Sequence, residues 1–146
     1  MKTIHSTHYY DVPPERLWAL VTDFGALEYV MKGLIAFKGA PQGRTFTGQK
    51  ADVQVSVMGL LPYQDYTMEV ILCDDDAMQM NSSEKGAGVK SWRHSLQVVA
   101  DGQGARLHDT IEIDAGLMTP IFAAWARYMY RARHKPRLKL FADGVF

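Results

Sequence analysis

The sequence predicts one α+β domain over residues 1–146: a curved antiparallel sheet of about seven strands, two short helices after the first strand, and a long C-terminal helix wrapped by the sheet. Three observations carry this. Apolar residues alternate from 34 to 114 but recur at helical spacing from 117 to 141. Clusters of Gly, Pro and Asp punctuate the alternating part. The length, 146 residues, is that of a single domain.

The first strand is residues 2–10, where Ile4, Ser6, His8 and Tyr10 alternate with Thr3, His5, Thr7 and Tyr9 and the content is β-branched and aromatic. Asp11-Val-Pro-Pro-Glu15 starts a helix, because proline has a preset φ and no N–H to waste in a first turn, and Glu15 complements the dipole. Leu17, Trp18, Leu20, Val21 and Phe24 give that helix its apolar stripe. Gly25 interrupts it, Ala26 to Met31 forms a second short helix, and Gly33 stops that one. Turn clusters at 39–43, 59–62, 74–76, 85–88 and 101–104 then separate six more strands, near 34–38, 45–57, 63–73, 77–84, 89–100 and 105–114. Connections this short make an antiparallel meander.

From Leu117 to Phe141 one helix is predicted, with Met118, Phe122, Trp125, Met129 and Ala132 on one face. It would be about 37 Å long at 1.5 Å per residue, and a strand of about 11 residues spans about 36 Å, so helix and curled sheet match in length. Pro136 should kink or end it near Ala132.

A composition of 47% hydrophobic, 11% aromatic and 22% charged residues suits a chain that buries a core and excludes a disordered or fibrous one. Cys73 is the only cysteine and has no partner for an internal bridge. With no charged start followed by an apolar run, and no apolar stretch of about 18 residues, the expected setting is the reducing cytoplasm. Net charge is +0, from 16 basic and 16 acidic residues, which predicts no general attraction to nucleic acid. The charge is unevenly spread: residues 1–114 hold 10 basic and 15 acidic side chains, whereas 115–146 hold 6 basic ones and Asp143 alone. The C-terminal segment is therefore a basic object on an acidic body.

The stretch Tyr10-Asp11-Val-Pro-Pro-Glu-Arg-Leu-Trp-Ala-Leu-Val-Thr-Asp23-Phe24 resembles the opening motif of the START-like, Bet v 1-like (SRPBCC) superfamily: strand, proline, acidic residue, apolar-aromatic helix, terminal Asp. The order of elements over essentially the whole chain resembles the helix-grip domains of that superfamily. Within it the chain looks most like the polyketide cyclase/dehydrase and lipid-transport-like group. The resemblance implies an apolar cavity between sheet and C-terminal helix, without a universal catalytic residue. The chain departs from relatives that carry a glycine-rich, phosphate-like loop between the second and third strands, since Gly39 and Gly43 are its only glycines there.

Residues two apart on a strand share a face. In 89–100, Trp92, Leu96 and Val98 set the inward face and His94 shares it; in 105–114, Leu107, Ile111 and Ile113 place Asp109 inward and Arg106, His108, Thr110 and Glu112 outside. A hairpin loop at 101–104 sets Ala100 opposite Ala105, His94 opposite Ile111 and Leu96 opposite Asp109. His94 and Asp109 are then diagonal neighbours, roughly 7–8 Å apart between backbones and within side-chain reach. A buried carboxylate there could orient the imidazole as a general acid or base. Equally, Asp109 could sit at a wet end of the sheet or satisfy the imidazole for structural reasons.

Gln64, Tyr66, Met68, Val70 and Leu72 form a second inward row, with Met78, Met80 and Ser82 beside it, and Gln64 and Tyr66 could hydrogen-bond an oxygenated ligand. The expected ligand-binding set is Gln64, Tyr66, Met68, Trp92, Leu96, Ile111, Phe122, Trp125 and Met129. The methionines would serve as adaptable lining or as core filling. Neither a cofactor nor a metal is expected: His5 and His8 lie on opposite strand faces, as do His94 and His108, and no Cys/His cluster has ligand spacing. Gly39-Ala-Pro-Gln-Gly43 leads into a strand, so it lacks the helix N-terminus of a phosphate loop and reads as a plain turn.

Met58-Gly-Leu-Leu-Pro62 is an apolar hairpin tip that could cap a cavity mouth, contact a partner or fold back on the domain. Arg127, Arg131 and Lys135, four apart, mark an exposed basic face, suited to solvation or to transient contact with anionic membranes. The leading function is binding or transport of a small hydrophobic ligand (lipid, polyketide or similar). The alternatives are an aromatase/cyclase or dehydrase-like enzyme using His94 and Asp109, and a protein-interaction module of co-chaperone-like type, which would have a filled interior.

Overall fold

The computed structural model describes residues 1–146. In chain order the elements are β1 (Lys2–Tyr10), α1 (Pro14–Val21), α2 (Phe24–Val30), β2 (Ile35–Lys38), β3 (Lys50–Val57), β4 (Gln64–Asp74), β5 (Gln79–Gly86), β6 (Val89–Asp101), β7 (Gly104–Asp114), α3 (Thr119–Ala132) and α4 (His134–Ala142). All seven strands join one antiparallel sheet in the order β1-β7-β6-β5-β4-β3-β2. The two edges are thus β1 and β2, and α1 and α2 carry the chain from one to the other. No helix is long and apolar enough to cross a membrane.

Local chemistry explains the crossing. Pro14 opens α1 with Glu15 in its first turn, and the helix buries Leu17, Trp18 and Leu20. Asp23, the last acidic residue of the opening motif, is the N-cap of α2: its side chain accepts a hydrogen bond from the Ala26 N–H at 2.9 Å. Residues 45–49, expected to begin the third strand, instead form an irregular bridge. The Thr45 N–H donates to the Thr22 carbonyl at 2.8 Å and the Gly48 N–H to that of Val70 at 2.7 Å, so this segment is held by the end of α1 and by β4 outside the regular ladder.

Two further shifts follow from turns. The β5–β6 connection is a two-residue turn in which Ala87 (φ 50°) and Gly88 (φ 89°) are both left-handed, which moves the end of β5 out to Gly86. Between Val70 and Leu72 the β4–β5 register slips, so that Cys73, opposite Met80, takes the inward face that alternation assigns to Leu72.

The predicted single C-terminal helix is two. α3 passes into α4 at Arg133, where Pro136 supplies no N–H for the carbonyl of Ala132. α3 also starts at Thr119 rather than Leu117, because the Thr119 hydroxyl accepts from the Ala115 N–H at 2.9 Å and donates to the Gly116 carbonyl at 2.7 Å. Leu117 is therefore fully exposed and Met118, expected on the buried stripe, is 49% exposed.

α3 packs against β1 and β7. Ala123 and Ala126 face the sheet side, and their small size lets the helix close on Ile4, Ile111 and Ile113. A second cluster under α1 gathers Tyr10, Leu17, Trp18, Leu96, Val98 and Leu107. Each such aliphatic side chain, fully buried, stabilises the fold by about 1.5–3 kcal/mol.

Candidate functional site: a cavity with a charged end

Because α3 leans toward β1 and β7, its other flank stands off from the middle of the sheet. Phe122, Trp125 and Met129 follow one another on that flank at spacings of three and four residues, and the row continues through Arg133 at the α3–α4 junction to Arg137 in α4. Between them and β3–β6 lies a cavity of about 400 Å³, with 24 of its 31 lining residues hydrophobic. Ligand pockets run from roughly 300 to 1,000 Å³, so the space suits one small molecule. Ile121 lines it and is 61% exposed, which places an opening at the start of α3. The filled interior expected of an interaction module is not found.

Seven of the nine expected ligand-binding residues line this cavity: Tyr66, Met68, Trp92, Leu96, Phe122, Trp125 and Met129. Gln64 does not. It is exposed, opposite Val55 at the end of β4, past the last β4–β5 pair, Tyr66 with Gly86. Ile111 does not either, being fully buried in the cluster beneath α3 on the packed side.

The β6–β7 hairpin sets His94 opposite Ile111 and Leu96 opposite Asp109, with Asp101 paired to Gly104 across a two-residue loop. The diagonal closes: His94 Nε2 lies 2.6 Å from Asp109 Oδ1, with the two side chains 10% and 2% exposed. Burial works to raise the Asp109 carboxyl, but the His94 hydrogen bond and the charges of His94, Arg137 and Arg133 outweigh it and hold the group below its ordinary range. An ionised Asp109 accepts, so His94 Nε2 is the donor. His94 lines the cavity, whereas Asp109 sits behind it. Asp109 Oδ2 has no hydrogen-bond partner.

Glu84, which the sequence reading passed over, completes the polar end. It shares the inward face of β5 with Met80 and Ser82, so two more steps along that row reach it. Ser82 pairs with His94 across the β5–β6 ladder and Glu84 with Trp92, which sets Glu84 diagonal to His94. Ser82 Oγ donates to Glu84 Oε2 at 3.3 Å. Burial pushes the Glu84 carboxyl up toward its neutral form, and burial likewise raises the phenols of Tyr66 and Tyr130.

Arg133 and Arg137, to which the sequence analysis assigns no face, also line the cavity and are only 8% and 5% exposed. The signal lay in their spacing, four and eight residues after Met129. Arg127, Arg131 and Lys135 do face solvent. Behind Asp109, the His8 and His134 rings stack with centroids 4.7 Å apart beside Tyr10. No three His, Cys, Asp or Glu side chains gather as a metal-binding group.

The site can therefore hold an apolar body, hydrogen-bond an oxygen and move a proton. The family model described as polyketide cyclase / dehydrase and lipid transport matches residues 1–143. The chain belongs to this family. Solved structures agree on the fold: the Chromobacterium violaceum protein CV1439 is 13% identical over 96% of this chain and 97% of its own, with a TM-score of 0.75. TTHA0849 from Thermus thermophilus is 14% identical over 94% and 95%, TM-score 0.72. A START superfamily protein from Mycobacterium smegmatis is 14% identical over 94% of each chain, TM-score 0.68. At such identities the likeness is one of fold, and it is the helix-grip fold of START-like and Bet v 1-like proteins. None of the curated proteins matches the sequence. For this polyketide cyclase / dehydrase and lipid-transport family member, the particular chemistry has to come from the cavity.

Proposed function

We propose that the chain acts as one 1–146 domain that binds or carries a small hydrophobic ligand, a lipid, polyketide or similar molecule, in the cavity between sheet and α3. The observation that carries this reading is the apolar, open-ended cavity itself. Tyr66, Met68, Trp92, Leu96, Phe122, Trp125 and Met129 are the assigned contacts. The unpaired Cys73 supports a cytoplasmic setting. Transient membrane contact is part of the proposal: the β3–β4 tip, with Leu60 83% exposed, lies at the same end of the sheet as the start of α3 and the opening. Nile red, a neutral apolar fluorophore, should quench tryptophan emission saturably, since Trp92 and Trp125 line the cavity. The quenching should survive Trp18→Phe, because Trp18 lies outside the cavity. Absence of saturable quenching would reject the reading.

The His94–Asp109 contact favours a second reading, an aromatase/cyclase or dehydrase-like enzyme acting on a polyketide-like substrate. His94 Nδ1 would take the proton beside a substrate carbonyl, and Glu84, whose carboxyl burial raises, would give one to a departing hydroxyl, which leaves as water. General acid or base help is worth about 10²–10⁴ in rate, so His94→Gln would abolish turnover while leaving affinity almost unchanged. Candidate polyketides and fatty-acid derivatives, incubated with the protein and followed by mass spectrometry, separate the readings. A product that depends on His94 makes the protein an enzyme; unchanged compounds keep it a carrier.

A further inference from the structure

One end of the cavity holds two guanidinium groups that the fold leaves without an ion-pair partner. Arg133 and Arg137 are more than nine-tenths buried, and neither lies within ion-pair distance of a carboxylate. Arg133 Nε meets the Met31 sulfur at 3.1 Å, and its guanidinium lies 4.2 Å from the centroid of the Tyr130 ring. Arg137 donates to the Tyr10 hydroxyl at 3.3 Å, and its Nε has no partner. Such partners are weak for a group that presents five donors and holds its charge at any physiological pH.

The nearby acids answer this charge only in part: Asp109 feels both arginines but is hydrogen-bonded to His94 and does not line the cavity, and burial raises the Glu84 carboxyl. One carboxylate against two guanidinium groups leaves positive charge over. A buried guanidinium without a counterion is strongly unfavourable, so its retention in an apolar cavity needs a source of negative charge. Both arginines lie on the flank that begins with Phe122 and Trp125 near the opening, and both line the same cavity.

From this we propose that the ligand is an amphiphile with a carboxylate: its apolar body lies along Phe122, Trp125 and Met129, and its carboxylate is held by Arg133 and Arg137. The inference rests on the ligand-binding reading and sharpens it by setting polarity and orientation. Arg–carboxylate geometry is planar and two-pronged, which suits this head group. Eleven residues separate Phe122 from Arg133, so a ligand touching both is about 16 Å long at 1.5 Å per residue.

The test compares dodecanoate with dodecanol, an acid and an alcohol of the same chain, as displacers of bound Nile red at pH 7.5. Dodecanoate should displace the dye at about tenfold lower concentration or less, the ratio expected of charge-assisted hydrogen bonds. In Arg133→Met and Arg137→Met, which replace a buried charge by an apolar chain of similar length, the ratio of acid to alcohol, read within each variant, should fall toward one. Circular dichroism checks that both variants fold, and the wild-type ratio stands without them. Equal displacement by acid and alcohol in the wild type would overturn the inference while leaving the cavity reading intact. A preference for acid that persists in both variants would overturn the assignment to these arginines. Failure of either compound to displace bound Nile red would likewise overturn it, whereas failure of Nile red itself to bind removes the cavity reading as well.

Discussion

The two sides of the sheet under the C-terminal helices differ in what finishes them. On the β1–β7 side, Ile4, Ile111 and Ile113 meet Ala123 and Ala126, and every one of these side chains is at most 4% exposed. On the β3–β5 side, Tyr66, Met68 and Glu84 face a void that the helix does not fill. The packed side is complete within the chain. The hollow side keeps a cavity, and His94, Glu84, Arg133 and Arg137 border it.

This contrast is most sharply broken by truncation. Ile111→Ala should cost about 2–5 kcal/mol, since its surroundings relax little around a new hole. Met68→Ala removes atoms that already lack partners on one side, so it should cost less than half as much. Urea unfolding of the two variants measures both, and equal losses would mean that the hollow side is packed after all.

The two buried carboxyls should respond to pH with opposite signs. Asp109 is held below its ordinary value of 3.8, so its contribution is present above that pH and is lost as pH falls through the lower folded value. Glu84 is raised above its ordinary 4.5, so its contribution is present below that pH and is lost as pH rises through the higher folded value. At pH 7, Asp109→Asn should therefore lower Tm and Glu84→Gln should raise it, with the Glu84→Gln gain vanishing in melts near pH 4. A smaller acid effect belongs to the stacked pair His8 and His134, both lowered from 6.5 chiefly by burial. Their stabilising contribution is lost as pH falls below 6.5, and His134→Phe, which keeps the stack, should flatten Tm between pH 7 and 5.

The least effect on stability is expected at the exposed rim. Leu60→Ser and the triple change of Arg127, Arg131 and Lys135 to Ser should each move stability by less than about 0.5 kcal/mol per site. Both should reduce flotation with vesicles rich in anionic lipid at low salt. Wild-type protein that floats no better with anionic than with neutral vesicles would reject membrane contact.

Strand alternation made the His94–Asp109 diagonal legible, because a hairpin register transmits one known pair to every other. It failed at Leu72, where a bulge shifts the face, and at Gln64, which lies past the end of its neighbour strand. Arg133 and Arg137 were hidden for a different reason. Composition assigns arginine to solvent, and only continuation of the Phe122–Trp125–Met129 spacing through the Pro136 break places them inside. Ile111 shows the converse limit: an inward position does not say whether helix or void lies above it. Alternation and turn spacing define the sheet and its faces, while the tilt of α3 that opens one side depends on packing between distant residues.

The central claim is that the void over β3–β5 is the ligand site, and filling it tests this most directly. Met68→Trp puts a larger apolar side chain into that void without touching the packed side. The variant should fold with an unchanged far-ultraviolet spectrum and at least wild-type stability, and saturable Nile red binding, present in the wild type, should be lost. A folded Met68→Trp protein that binds Nile red as the wild type does would contradict the account.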